Sequence, residues 1–239
     1  MCRVKALVAF ALLASSAIGP VEAQSLQVSP ITIDLAPGAT SSAFTIETDS
    51  QEGVAIQARV FRWSKAAGED KLDRTEDVVV SPPAQTVRAG SPSTLRLVRV
   101  AKTPVSGEET YRVAVDVIPD RKKLQAGTVA LVLHQSFPVF FAGIDSRPGQ
   151  IAWKAQERGN KLFIEATNTG QKRVKFTKLK ITGDDNRDVL KIEGLAGYVL
   201  GGQTTAWPVS GAAGLKSLSI KAEGDSGLIN ASANVSKGG

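Results

Sequence analysis

Two neighbouring stretches decide the fold. The first is Tyr111-Arg112-Val113-Ala114-Val115-Asp116-Val117-Ile118. The second follows a short basic loop, Pro119 to Gln125, and runs Thr128-Val129-Ala130-Leu131-Val132-Leu133-His134-Gln135-Ser136-Phe137-Pro138-Val139-Phe140-Phe141. In a strand, successive side chains point to opposite faces. Tyr111, Val113, Val115 and Val117 then share one face, and Arg112, Ala114, Asp116 and Ile118 the other. In the second stretch Val129, Leu131 and Leu133 alternate with Ala130, Val132 and His134, so both faces are apolar. A strand apolar on both faces is either buried on both or has one face that waits for a partner. Periodicity alone leaves these two readings open.

Working outward, the rest of the chain reads as strands. Short segments rich in Val, Ile, Thr and Phe are separated by Gly, Pro, Asp and Asn, the spacing of a β-sandwich and not of βαβ units. Leu26 to Leu35, Ser42 to Glu47, Val54 to Trp63, Val78 to Val80 and Leu95 to Val100 precede the two deciding stretches, with Lys65 to Asp70 read as a polar loop. Pro82-Pro83 bars a central ladder there. Ala142 to Gly149 is rich in Gly, Asp, Ser, Arg and Pro and is read as an interdomain hinge. A second strand set follows: Ile151 to Ala155, Lys161 to Thr167, Val174 to Ile181, Val199, Thr204 to Val209, Leu215 to Ala222 and Leu228 to Val235. No stretch carries a helical stripe. The fold class is all-β, with two sandwich domains over residues 24–143 and 148–239.

The N-terminus has Arg3 and Lys5, an apolar run from Ala6 to Ile18, then Gly19-Pro20 and Val21-Glu22-Ala23. That is the layout of a secretory signal peptide, with cleavage expected after Ala23. The run is too short for the roughly 20 residues that span a bilayer. The chain's one cysteine, Cys2, leaves with the signal, so a mature chain of about 216 residues must hold together by burial without disulfides. Its charge falls from +6 to 27 Lys and Arg against 22 Asp and Glu. Without a basic helix or an aromatic platform, nucleic acid is a poor partner, whereas an acidic protein partner is compatible with the excess.

Catalytic groups are missing. The one histidine, His134, lies within the two-sided apolar strand, where a packed or edge histidine is the ordinary reading. No His, Cys and carboxylate cluster has metal-ligand spacing, no Gly-x-Ser-x-Gly elbow occurs, and Gly194 to Gly197 lacks the lysine of a phosphate loop. Glu108-Glu109 and Asp184-Asp185 read as solvated carboxylates in turns. No enzyme, cofactor, metal or small-molecule substrate is expected.

The stretch from Phe61 to Pro119 resembles the N-terminal domain of periplasmic pilus chaperones of the chaperone–usher pathway. The resemblance rests on Phe61-Arg62-Trp63, Leu72, Thr75-Glu76-Asp77, Val80-Ser81-Pro82-Pro83, Arg88-Ala89-Gly90, Leu97-Val98-Arg99-Val100, Glu108-x-x-Tyr111-Arg112 and Asp116-Val117-Ile118-Pro119, in that order. Ser29-Pro30, Ala36-Pro37-Gly38 and Asn168-Thr169-Gly170 extend it over nearly the whole mature chain. The resemblance implies two immunoglobulin-like domains in an L-shaped arrangement and a periplasmic location. It implies a function as well: binding, folding and capping pilin subunits by donor-strand complementation, then delivery to an outer-membrane usher. The donor strand maps to Thr128–Phe141, with Val129, Leu131 and Leu133 filling the subunit's groove. An uncapped edge of this kind also predisposes the free protein to self-association.

One departure stands out. Family members hold the subunit's terminal carboxylate with an Arg and a Lys, and Ile33 and Pro138 occupy those positions here. Arg112, beside the donor strand, becomes the candidate carboxylate anchor, since arginine grips a carboxylate through two parallel hydrogen bonds. Against that, Arg112 could be a solvated residue or an internal partner of Glu108 or Asp116. Arg99 and Glu108 are the candidates for structural ion pairs. The short loop and the lack of disulfides place the resemblance nearest the archaic, spore-coat-like branch. A secreted pilus subunit or adhesin is the rival reading, but it would call for an exchangeable N-terminal extension and, as a rule, a disulfide.

Overall fold

The computed structural model describes residues 25–120, 132–210, 214–225 and 227–237. The signal-peptide segment and the stretch that contains Val129 and Leu131 lie outside them. All regular elements are strands: β1 Leu26–Ser29, β2 Ile33–Leu35, β3 Ser41–Thr48, β4 Val54–Ala66, β5 Glu69–Arg74, β6 Val78–Ser81, β7 Ala84–Val87, β8 Ser93–Arg99, β9 Glu108–Val117 and β10 His134–Ala142 come first. β11 Ile151–Arg158, β12 Lys161–Asn168, β13 Val174–Gly183, β14 Asp188–Val199, β15 Thr204–Ser210, β16 Ser217–Gly224 and β17 Gly227–Lys237 complete the chain.

The first ten strands make two sheets, one in the order β1-β3-β8-β6, the other β2-β10-β9-β4-β5 with β7 also paired to β4. Their inner faces interdigitate through Phe44, Ile46, Ile56, Leu95, Leu97, Tyr111, Val113, Val115, Val139 and Phe141, all buried. This is the alternation that the sequence carries, with the odd residues from Tyr111 to Val117 inside. The remaining seven strands form one sheet, β14-β13-β16-β17-β11-β12-β15, around a second core that includes Phe176, Leu179, Ile181, Ile164 and Ile220. Its ends come together where the Thr205 hydroxyl donates to the Tyr198 carbonyl at 2.9 Å and the Trp207 indole donates to the Ala196 carbonyl at 3.4 Å. The molecule is all-β, with two immunoglobulin-like domains.

The segment Lys65 to Asp70 is not an open loop. β4 and β5 form a tight hairpin, turning at Ala67 and Gly68, both at positive φ. Gly68 is required on two counts. Its φ of +87° disfavours any side chain, and a Cβ there would sit 2.5 Å from the Cβ of Ala206 in the second domain. The hairpin thus docks on the second domain, and the Lys65 amide donates to Gln203 Oε1 at 2.5 Å.

A third apolar cluster fills the junction: Trp63, Phe140, Tyr198 and Leu200. Trp63 meets Tyr198 edge-on with ring centroids 5.5 Å apart, and Phe140 lies 5.6 Å from Tyr198. The connection between domains is tied down as well. The Ser146 hydroxyl donates to the Gly143 carbonyl, and the amides of Gln171 and Lys172 both donate to the Arg147 carbonyl.

Candidate functional site

β10 is paired unequally. On one side it runs antiparallel to β9 over its whole length, His134 opposite Asp116 through Ala142 opposite Glu108. On the other side it meets β2 only at Val139, Phe140 and Phe141. Among the described residues no strand covers the outer edge of His134–Pro138. The Gln135 side-chain amide donates to the Leu26 carbonyl of β1 in the facing sheet. A run of unpaired backbone groups on a rigid strand is a template for another strand.

The two faces of this strand are settled by Phe137, Val139 and Phe141, which sit in the first core. Parity then puts Leu133 on the same side, and it is half-buried against that core. Leu133 is the one expected groove-filling residue that lies within the described residues. Val132 takes the opposite side and is 51% exposed. Ile33 and Pro138 are both buried, Ile33 within the core.

Arg112 lies on the outer face of the second sheet, between Pro138 on β10 and Phe61 on β4. Its guanidinium stacks 4.3 Å over the Trp63 ring, and Nη2 stands 3.7 Å from Asp70 Oδ2. Neither Glu108 nor Asp116 is its partner. Its Nε is buried without a hydrogen-bond acceptor, although the side chain as a whole is 22% exposed. Asp70 is already shared, with the Trp63 indole at 2.8 Å and Lys65 Nζ at 2.5 Å. Burial pushes the Asp70 carboxyl up, but hydrogen bonds from Lys65 and Trp63, with the nearby Arg112 charge, overcome this and hold it below the ordinary range. One carboxylate thus faces two cations on this patch.

Arg99 is buried and forms a two-pronged pair with Glu109, both contacts at 2.8 Å. The Tyr111 hydroxyl donates to Glu109 at 2.9 Å and accepts from Arg62, which also reaches Asp77. Burial, then Glu109, raise the Tyr111 phenol well above its usual range. Glu108 is not a solvated turn carboxylate. Its side chain is 2% exposed, and Arg173 of the second domain grips it, with Nη1 3.0 Å from both oxygens. Arg173 also reaches Asp34 and lies 3.5 Å from the Phe140 ring centre. Burial raises the Glu108 carboxyl despite the Arg173 charge. Nothing local in the sequence marks Arg173 for this role, because its acceptors lie 65 and 139 residues away.

His134 sits at the start of the open edge, with Nδ1 2.5 Å from Asp116 Oδ1, while Arg59 holds the other Asp116 oxygen at 2.6 Å. Among the described residues no group of three His, Cys, Asp or Glu could hold a metal ion.

Comparison with known proteins bears directly on this arrangement. Residues 25–145 match the model of the pili and flagellar-assembly chaperone family, PapD N-terminal domain. No curated protein sequence matches the chain. Among solved structures, a chain from the CsuC–CsuE chaperone–tip adhesion subunit pre-assembly complex of the archaic Csu pili of Acinetobacter baumannii superimposes with a TM-score of 0.68 at 20% identity, covering 90% of this chain and 100% of its own. The E. coli chaperone DraB gives 0.58 at 18% identity, with 87% and 97% covered. A chain from the Salmonella enterica complex of the SafA pilin with the SafB chaperone gives 0.58 at 16%, with 87% and 95% covered. At these identities the structural likeness carries the fold, and the family match over half the chain carries membership. Relatives of this kind assist assembly and catalyse no reaction. The chain belongs to the family of pili and flagellar-assembly chaperones.

Proposed function

We propose that this chaperone captures pilin subunits by adding the open edge of β10 to an incomplete subunit sandwich, caps them, and hands them to an outer-membrane usher. The observation that carries the reading is the outer edge of His134–Pro138, which no described strand covers on a strand otherwise held rigidly by β9 and β2. A rigid edge loses little entropy on docking. Val129, Leu131 and Leu133 are the proposed groove-filling side chains, with Leu133 at the point where their shared face passes from the chaperone's own core to the subunit's. Arg112 is the proposed carboxylate anchor. A subunit's terminal carboxylate could displace the 3.7 Å contact of its Nη2 to Asp70. The protein is periplasmic in this reading, delivered by cleavage after Ala23, with domains over 24–143 and 148–239. The Csu likeness supports placement in the archaic branch.

The test is co-purification of a pilin subunit from periplasm. Burying a Leu side chain is worth about 1.5–3 kcal/mol, so Leu131→Glu is expected to abolish capture in a chaperone that still folds. If Leu131→Glu retains its subunit while Val132→Glu loses it, the opposite face of the strand enters the groove. If neither variant loses the subunit, edge capture is wrong. Arg112→Ala is expected to lose most capture and Arg112→Lys to recover part of it, more at low salt than at high.

A further inference from the structure

The charge of this protein is not spread evenly. Residues 24–147 carry 14 Lys and Arg against 14 Asp and Glu, whereas residues 148–239 carry 13 against 8. The whole basic excess downstream of the expected cleavage site therefore belongs to the second domain, away from the edge of β10.

Within that domain the strand register gathers lysines into a row. Lys180 on β13 lies directly opposite Lys191 on β14 and directly opposite Lys221 on β16. Leu179 and Ile181 point into the core, so all three lysines stand on the outer face. Adjacent strands are about 4.8 Å apart, and like charges directly opposite each other destabilise a sheet. The next row reads Glu193, Lys178, Glu223. Lys178 pairs with Glu223 at 2.8 Å, Lys191 with Glu193 at 3.3 Å and Lys180 with Asp188 at 3.1 Å. These are exposed pairs, which contribute little, and Lys221 has no ion-pair partner among the described residues. A shallow groove runs along the stems, lined by Lys178, Lys180, Lys191, Lys221, Glu193 and the 80% exposed Leu228.

We propose that this face of the second domain, centred on Lys180, Lys191 and Lys221, is a docking surface for an acidic segment of a partner protein. The row opposes the sheet's own stability and is offset only weakly from within. Carboxylates supplied from outside would relieve both opposed pairs at once, while the lysine stems and Leu228 offer apolar contact beneath the charges. An acidic protein segment brings carboxylates together with apolar side chains, which suits this mixed surface better than a sulfated polysaccharide would. The surface is separate from the proposed subunit-binding edge, so the proposal stands or falls independently of subunit capture.

The test uses the full mature chain, with fluorescent poly-L-glutamate as probe and heparin as the polysaccharide comparison. Lys180→Glu with Lys221→Glu is compared with Lys154→Glu with Lys161→Glu, which changes net charge equally elsewhere on the domain. The row variant is expected to weaken poly-L-glutamate binding by about tenfold or more, and the control by less than about twofold, at physiological salt where screening acts over about 8 Å. Lys180→Thr is expected to raise Tm by about 2–4 °C while lowering probe affinity. Equal losses in the two double variants would reduce the effect to net charge and overturn the proposal. So would a row-dependent affinity for heparin without one for poly-L-glutamate, no binding of the probe by the wild type, or a fall in Tm for Lys180→Thr.

Discussion

Replacing Arg173 with alanine strips Glu108 of its counter-ion while leaving the carboxylate buried at the domain junction. Breaking a buried pair from one side costs about 3–5 kcal/mol, because a charge is stranded. Glu108 has an escape, which is to take up a proton. An ordinary glutamate titrates near 4.3, so at pH 7 the stranded charge can cost no more than protonation across about 2.7 pH units, or ~3.7 kcal/mol. At pH 5 only about 0.7 unit remains and the ceiling falls to ~1 kcal/mol. The sign follows from the direction of the shift. A carboxyl whose folded pKa is raised is most compatible with folding below the ordinary glutamate value, and the deficit grows as pH climbs above it. Loss of the Phe140 ring contact adds about 0.5–1 kcal/mol that does not depend on pH. Urea unfolding at pH 5 and pH 7, followed by tryptophan fluorescence, measures both parts, since Trp63 is buried in the junction. The double variant Glu108→Gln/Arg173→Ala should lose the pH dependence and recover most of the deficit. An equal deficit for Arg173→Ala at the two pH values, or none at pH 7, would refute the reasoning.

Three further outcomes are expected. Glu109 is pushed up by burial but held below its ordinary range by Arg99 and Tyr111. The stability it contributes is therefore present above about pH 4.3 and lost as pH falls through and below that value. The deficit of Glu109→Gln in urea unfolding should accordingly shrink on acidification. Gly68→Val puts a β-branched side chain at φ +87° and against Ala206. It should cost about 1–3 kcal/mol and widen the inter-domain distance distribution in small-angle scattering. Leu133→Ala removes a half-buried side chain from the first core and should cost about 1–2 kcal/mol in thermal unfolding.

The sandwich architecture was legible wherever the period-2 pattern met a water–core boundary. Tyr111 to Val117 alternates as the core demands. β14 was read only at Val199, because Gly194 and Gly197 break its pattern. A bulge sets three residues there against Thr177 between the pairs Phe176–Gly197 and Lys178–Glu193. The β4–β5 hairpin passed for a loop since β5 is exposed at every position and carries almost no apolar signal. At the site, the two-sided apolarity singled out the stretch but not its facing. Leu133 and Val132 are both apolar, and only packing against the first core tells them apart. Ion-pair partners were out of reach for a different reason. Glu108 and Glu109 are neighbours in sequence, and strand alternation sends one to Arg173 in the other domain and the other to Arg99.

That divergence gives the adjoining strands a double duty. β9 and β10 carry the open edge at one end, where Asp116 lies opposite His134, and the junction at the other, where Glu108 lies opposite Ala142. Phe140, six residues along from His134, is already packed against Trp63 and Tyr198. At about 3.3 Å per residue the edge and the junction are only ~20 Å apart along one strand. The second domain therefore clamps the far end of the strand that the first domain leaves open. A strand anchored in this way loses less freedom when a partner pairs with it, which raises affinity without any additional contact. Glu108, Arg173 and Gly68 accordingly affect the edge by holding its strand in place, although none of them lies on it.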